Sequence, residues 1–312
     1  MYDLIIIGGG PAGITAGVYA ARKRLKTLIL TQDIGGQMAW SSDVENYPGF
    51  SMISGADLVE KFENHIEQFR DVLELRLTNK GVTEIDKNKT YFSVKTGEGI
   101  SEHSRAVIIA GGRVPKSLGI KGEKEYLNRG VSYCAWCDGP IFKNKDIAII
   151  GGGNSALDTA INIERSVKSI VMINPTSELT GDKILIDKVT NAKDIRILNN
   201  TEIVSINGDK FVSYITVKPV GKDKKDKPED LKLSGVFIEI GSVPATDYLR
   251  SLLKLNDRGE IIVDKYNMSS VEGLYAAGDI TDIEEKQIVT AAGEGAKAAI
   301  MASKYIARFE DE

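Results

Sequence analysis

Leu4-Ile5-Ile6-Ile7-Gly8-Gly9-Gly10-Pro11-Ala12-Gly13 is the stretch whose reading decides the fold. A short apolar run of this kind has the character of a strand buried on both faces, as in parallel sheets. It opens at once into G-x-G-x-x-G and a helix-like segment ending near Arg24. In that setting Gly8 permits the tight turn, Gly10 lets the backbone approach a pyrophosphate, and Gly13 lets helix and strand pack closely. The N-terminus of the helix that follows faces the negative charge. The strand Thr27-Leu28-Ile29-Leu30 then completes a β-α-β unit.

The same design recurs downstream. Ile147-Ala148-Ile149-Ile150 runs into Gly151-Gly152-Gly153-Asn154-Ser155-Ala156, with a helix expected to about Ser166 and a strand from Ser169 to Ile173. One glycine fingerprint is weak evidence, whereas two in strand-turn-helix context imply two dinucleotides held by one protein. The fold class expected is therefore α/β, with two Rossmann-like, three-layer dinucleotide-binding domains. A third glycine signal, Gly273-Leu274-Tyr275-Ala276-Ala277-Gly278-Asp279, reads as an apolar strand stopping at a small-residue turn with a carboxylate. With Lys286-Gln287-Ile288 and the small-residue helix from Ala291 to Ala302 behind it, it resembles the place where a flavoprotein holds the ribityl chain.

The bulk composition bounds the alternatives. With 312 residues, 42% hydrophobic and 27% charged, the chain has the make-up of an ordinary globular protein of two domains. A net charge of -4 gives no electrostatic reason to expect nucleic acid or an anionic membrane as partner. No apolar run approaches the length of a membrane span. Met1-Tyr2-Asp3 leads straight into a strand without an export signal, and only two cysteines occur, so a cytoplasmic location is expected. His65 and His103 stand far apart and in no motif, so neither receives a role and no metal site is expected. The charged segment from Lys218 to Asp230 reads as a solvated hairpin tip.

Cys134-Ala135-Trp136-Cys137 can close a disulfide, but so small a loop removes little entropy from the unfolded chain. Redox chemistry explains it better than stabilisation does. Two other readings stay open on the residues alone, half of an intermolecular metal site and two incidental thiols.

At these residues the chain resembles the low-molecular-weight thioredoxin reductases over essentially its whole length. Gly8 to Gly13, Gly35-Gly36-Gln37, Val44 to Gly49, Cys134 to Gly139, Gly151 to Ala156, and Gly273 to Asp279 with Lys286-Gln287 carry the resemblance. Gly293 to Ala298 is also similar to the reductase portion of the alkyl hydroperoxide reductase flavoproteins, whose amino-terminal thioredoxin-like domains are not expected here. The resemblance implies a discontinuous FAD domain, residues 1–112 and 242–312. A pyridine-nucleotide-type domain, residues 113–241, would be inserted through hinges at Gly111-Gly112 and Gly241-Ser242 and carry the cysteines. It implies FAD against Gly8, Gly10, Pro11, Ala12, Gly13, Thr31, Gln32, Gly35, Gly36, Gln37, Asn46, Gly278, Asp279, Lys286, Gln287 and Ile288. It implies a nicotinamide nucleotide against Gly151, Gly153, Asn154, Ser155, Ala156 and Asn174. Cys137 would be the thiol nearer the flavin, Cys134 the one that attacks a partner disulfide, and Asp138 the general acid or base. On the residues alone Asp138 is also a helix cap or turn residue. Rotation of the inserted domain would present nicotinamide and disulfide to the flavin in turn. A homodimer and a thioredoxin-like or glutaredoxin-like protein partner are implied as well.

The chain departs from the family where a 2′-phosphate is usually held by His-Arg-Arg and a further arginine. Those positions read Asn174-Pro175-Thr176 and Thr180, with no cation for a dianion. NADH is therefore expected over NADPH, with Asn174 as acceptor for a ribose hydroxyl. A donor such as ferredoxin, or a dithiol oxidase passing electrons to oxygen, is the first alternative. A redox-sensing flavoprotein that does not turn over is the second. Trp136 stands where the family typically has a small or hydroxylated residue and serves either to shield the disulfide or stack near the flavin, or simply to pack. The first-strand acid of many flavoproteins is missing, with Thr31-Gln32-Asp33 standing near that point, a habit the family shares.

Overall fold

The computed structural model describes residues 1–41, 44–221 and 227–309, with the side chains of Trp40, Trp136 and Cys137 outside the described part. All counts below refer to the described residues. The chain divides into two compact units, Met1–Val114 with Val243–Glu312, and Pro115–Ser242.

From the N-terminus come β1 (Tyr2–Ile7), α1 (Pro11–Arg22), β2 (Thr27–Thr31), α2 (Gly55–Glu67), β3 (Leu73–Leu77), β4 (Val82–Lys87), β5 (Phe92–Thr96) and β6 (Ser101–Ile109). The linker strand β7 (Arg113–Pro115) leads to β8 (Val131–Ser132), α3 (Ala135–Asp138), β9 (Asp146–Ile150), α4 (Asn154–Ile163), β10 (Ser169–Ile173), α5 (Lys183–Thr190) and β11 (Ile195–Leu198). Then follow β12 (Thr201–Gly208), β13 (Val212–Pro219), β14 (Glu229–Lys232) and β15 (Gly235–Ile238). A second linker strand, β16 (Ser242–Pro244), pairs with β7, and β17 (Leu274–Ala276) and α6 (Ile288–Ala307) complete the first unit. The linker strands begin at Arg113 and Ser242, directly after the glycines expected to act as hinges.

The first unit is built on a seven-stranded sheet in the order β3-β2-β1-β6-β5-β4, with β17 also on β6. β1 pairs in parallel with β2 and β6, while β5 runs antiparallel to the first half of β6 and β17 parallel to its second half. Alternation along β1 explains the layers. Leu4 and Ile6 pack beneath α1 and α6, whereas Ile5 and Ile7 face Phe92, Leu249 and Ile261. Each fully buried side chain of this size contributes about 1.5–3 kcal/mol relative to exposure. α1 stops at Arg22, short of the expected end, because Arg24 turns left-handed (φ 60) and its N–H closes on Ala21 O. α6 is longer at both ends than its run of small residues suggests. That run is only its packed middle, where a Cβ on Gly295 would lie 2.0 Å from Ala12 O of α1.

The second unit has a five-stranded, all-parallel sheet in the order β11-β10-β9-β15-β8, beside an antiparallel β12-β13-β14 meander. Phe237, Ile147 and Ile149 pack with Ala156, Leu157 and Ala160 of α4, and Ala148, Ile150, Val236 and Ile238 pack with the meander. β13 and β14 pair as the two arms of the hairpin expected around Gly221, whose stretch 222–226 lies outside the described residues. α4 ends at Ile163, three residues short of the expectation.

Candidate active site

Both glycine turns are built alike. At Gly8 the backbone takes φ +113, and a Cβ would lie 2.2 Å from Ala110 O, so an L side chain would be both strained and blocked. Gly13 brings α1 onto the turn, since a Cβ there would stand 1.9 Å from Gly8 O. No side chain caps α1 at Gly10, and a Cβ on Gly10 would meet nothing nearer than Gly35 O at 3.9 Å. An uncapped helix N-terminus with open space at its glycine suits an anionic group.

The other residues that the resemblance implied for FAD belong to this same unit. Gly35 N–H donates to Gly9 O at 2.8 Å, and Gly36 N–H to Asp33 Oδ1 at 3.0 Å. Thr31 is buried with its hydroxyl donating to Asp33 O, and Gln32 Nε2 donates to Asn79 O. Gln37 Nε2 donates to Arg113 O, and Asn46 Nδ2 to Gln287 Oε1 at 3.0 Å. Gly278 (φ +80) donates its N–H to the buried Glu294 carboxylate, and burial raises both Glu294 and its neighbour Asp279 above the usual carboxylate range. Lys286 donates to Thr281 O and lies 3.7 Å from Glu260, a buried carboxylate that also pairs with Arg113 and Arg258. Ile288 opens α6 and packs against the Met38 cluster. Glu260, Arg113 and Glu294 were not singled out in the sequence. Their role needs residues far apart in the chain to meet.

In the second unit Gly151 (φ +136) packs under Glu239 O, 2.2 Å from where its Cβ would be. Gly153 starts α4 without a side-chain cap and with Thr180 Oγ1 no nearer than 3.8 Å to a Cβ. Asn154 is exposed and accepts from Asp182 N–H, Ser155 is exposed, and Ala156 is fully buried against the turn. Asn174 is buried, and its amide is already engaged. Nδ2 donates to Thr176 O, Glu178 O and Asn199 Oδ1, while Oδ1 accepts from the Thr176 hydroxyl at 2.9 Å. The turn thus fits the pyrophosphate of a dinucleotide. The loop from Asn174 to Asp182 does not fit a 2′-phosphate, since it contributes Glu178 and Asp182 and no lysine or arginine.

β8 delivers the cysteine motif to the same unit. Cys134 is disulfide-bonded, and the chain's one other cysteine is Cys137, whose side chain, like that of Trp136, lies outside the described part. Ser132 Oγ accepts from Cys134 N–H at 2.9 Å, and Asp138 N–H donates to Cys134 O at 3.1 Å. Asp138 stands at the start of the 3-10 turn Gly139–Phe142 without a side-chain capping bond. Beside the cysteine, Tyr133 donates its hydroxyl to the buried carboxylate of Glu123 at 2.6 Å. Glu123 also accepts from Ser117 Oγ, Leu118 N–H and Gly119 N–H. Burial alone would raise the Glu123 pKa, yet these bonds outweigh it and hold the group below the usual range. Glu123 carried no local motif to mark it.

Glu239 was also missed, although a signal was present: one acid in the apolar run Val236-Phe237-Ile238-Glu239-Ile240. Thr159 of α4 donates to its Oε1 at 3.1 Å, and burial pushes its carboxyl up to about 7.

A family model described as pyridine nucleotide-disulphide oxidoreductase matches residues 2–295. The chain belongs to that family. As an oxidoreductase of this family it is 37% identical over 307 residues to an alkyl hydroperoxide reductase subunit of Staphylococcus aureus (strain MRSA252). That match takes in 98% of this chain and 59% of the relative, so the chain spans about three fifths of that protein. Thioredoxin reductase of Lactococcus lactis in its FR conformation superposes with a TM-score of 0.85 at 34% identity, covering 99% of this chain and 100% of that one. Thioredoxin reductase of T. acidophilum gives 0.82 at 35% identity, covering 98% and 99%. Both resemblances drawn from the sequence, and the α/β class with two Rossmann-like domains, therefore hold. No described helix is long and apolar enough to cross a membrane, and no described group of side chains could hold a metal ion.

Proposed function

We propose that this oxidoreductase is an FAD-dependent thioredoxin-disulfide reductase. Electrons would run from NADH through FAD and the Cys134-Cys137 disulfide to a thioredoxin-like or glutaredoxin-like protein. The observation that carries the reading is a disulfide-bonded Cys134 leaving the same sheet as a second, uncapped glycine turn. FAD, when bound, supplies the two-electron chemistry that joins a nicotinamide to a disulfide. Gly8, Gly10 and Gly13 with the α1 N-terminus would hold its pyrophosphate, with Thr31, Gln32, Gly35, Gly36 and Gln37 along one side. Asn46, Gly278, Asp279, Lys286, Gln287 and Ile288 would fix the remainder. Gly151, Gly153 and the α4 N-terminus would hold NADH, with Asn154, Ser155 and Ala156 in the first turn. A ribose hydroxyl at Asn174 would have to compete with Thr176 for Oδ1. Cys134 would attack the partner, Cys137 would face the flavin, and Asp138 would exchange the proton as thiol and thiolate alternate. The first unit is thereby the FAD domain and the second the nucleotide domain, and rotation about the linker strands would serve both steps. Cytoplasmic location and a homodimer belong to the same proposal.

The loop without cations favours, as a second reading, a donor other than a nicotinamide or a dithiol oxidase using oxygen. Anaerobic mixing decides between them: NADH should bleach the flavin and NADPH should do so far more slowly. Bleaching by neither would refute the NADH route. A Cys137→Ser variant should accumulate a mixed disulfide between Cys134 and thioredoxin, seen as a mass shift that a reductant reverses. Absence of that adduct with any thioredoxin-like protein would refute the partner.

A further inference from the structure

The two motifs of the second unit leave the same end of one parallel sheet through the two strands that flank β15. β9 feeds the glycine turn, β8 feeds Cys134, and β15 lies between them. Ile238 of β15 pairs with Ile150, and Phe237 pairs with Ser132. The Glu239 N–H donates to Ile150 O, which sets Glu239 beside Gly151, while on the other side the pairing with β8 ends at Ser132, two residues before Cys134. Strand alternation turns Glu239 to the face shared by Phe237, where α4 and Ala135 of α3 pack. Thr159 of α4 accordingly holds Oε1, while Oε2 has no partner among the described residues.

A dinucleotide in such a fold lies across the crevice where the strand order reverses, here between β9 and β15. Its adenosine ribose is read at the end of the second strand, which is β10, where Asn174 stands. The other half, carrying the nicotinamide, would then extend over the end of β15. That ring is neutral in NADH and positively charged in NAD+.

We propose that Glu239 is a specificity-determining residue of this nucleotide site, its carboxylate facing the nicotinamide end and holding NAD+ more tightly than NADH. The inference rests on the reading of the second glycine turn as an NAD(H) site. A carboxylate there also favours the positive charge that develops on the ring as its hydride departs. The residues around it leave this charge unopposed. Asp158, the neighbouring acid of α4, answers to Asp182 and Lys188, while Tyr133 is bound to Glu123 and Cys134 is in a disulfide. The Glu239 carboxyl is shifted by burial and by Thr159, and no charged group contributes. Titrating near 7, it is ionised above that value, so NAD+ affinity rises with pH across it.

The test is calorimetric titration of the full-length, flavin-loaded protein with NAD+ and with ADP-ribose, which lacks the nicotinamide. NAD+ should bind about tenfold more tightly at about pH 8 than at about pH 6, in line with one charge-assisted contact, and ADP-ribose should show no such change. Glu239→Gln should remove the NAD+ gain at the higher pH and leave ADP-ribose unchanged. Thr159→Val, which deletes a bond favouring the ionised form, should move the midpoint upward. If ADP-ribose binds while NAD+ follows one pH profile in all three proteins, the role of Glu239 is refuted and the nucleotide site stands. If neither ligand binds the yellow wild-type protein, the reading of the turn fails and the proposal fails with it. Should Glu239→Gln disturb ADP-ribose binding too, the Thr159→Val midpoint decides, and an unmoved midpoint overturns the proposal.

Discussion

Two glycines of α6, two positions apart, should respond to alanine with opposite signs. A Cβ on Gly295 would stand 2.0 Å from the carbonyl oxygen of Ala12, about 1.5 Å short of the roughly 3.5 Å at which nonbonded atoms rest. The obstacle is backbone on a helix, so α1 and α6 must separate along a seam of fully buried alanines, Ala16, Ala298, Ala299 and Ala302. Such overpacking costs about 3 kcal/mol, near the upper end of what cores absorb. The same shift would disturb Gly278 and the α1 N-terminus, because Ala12 also lies 3.1 Å from where a Gly278 Cβ would be. Gly293 is exposed, with nothing within 4 Å of a Cβ, and alanine there should gain about 0.8 kcal/mol in helix propensity. Thermal and urea unfolding of both variants, followed with flavin absorbance after gel filtration, measures the difference. Gly295→Ala should melt several degrees lower and lose flavin, while Gly293→Ala should melt at or above the wild type and keep it. A Gly295→Ala protein as stable and as yellow as the wild type would refute the close approach of the two helices.

The proposed discrimination against NADPH should yield to added charge. Thr176→Arg with Thr180→Arg should tighten NADPH about tenfold or more for each charge-assisted contact formed, read as the concentration dependence of flavin reduction. Unchanged NADPH dependence would show that this loop does not read the phosphate. Glu123 has a folded-state pKa below the usual carboxylate value, so its stabilisation is present above that usual value and is lost as pH falls through the folded one. Glu123→Gln should therefore lose about 3 kcal/mol near neutral pH, where the charged acceptor of four hydrogen bonds is removed, and progressively less in acid. Urea midpoints of both proteins across the acid range measure this, and a difference independent of pH would refute it.

The resemblance and the fold class were legible because they rest on short-range rules. A buried strand, a glycine whose φ an L residue cannot take, and a helix packed on the turn are each spelled within about ten residues, as at Leu4–Gly13 and Ile147–Ala156. The C-x-x-C spacing is equally local. Helix ends were less legible: α1 stops where Arg24 turns left-handed, a choice that composition does not announce.

What the sequence determined by itself is thus the repeated strand-turn-helix design and the pair of thiols. Tertiary structure alone decided which residues flank them. Glu123 reaches Tyr133 beside Cys134, Asn174 spends its amide on Thr176, Glu178 and Asn199, and Glu239 comes beside a glycine turn that lies 88 residues before it. A turn forms from the dihedral preferences of its own residues. A carboxyl acquires its charge state from the water that distant strands and helices exclude around it.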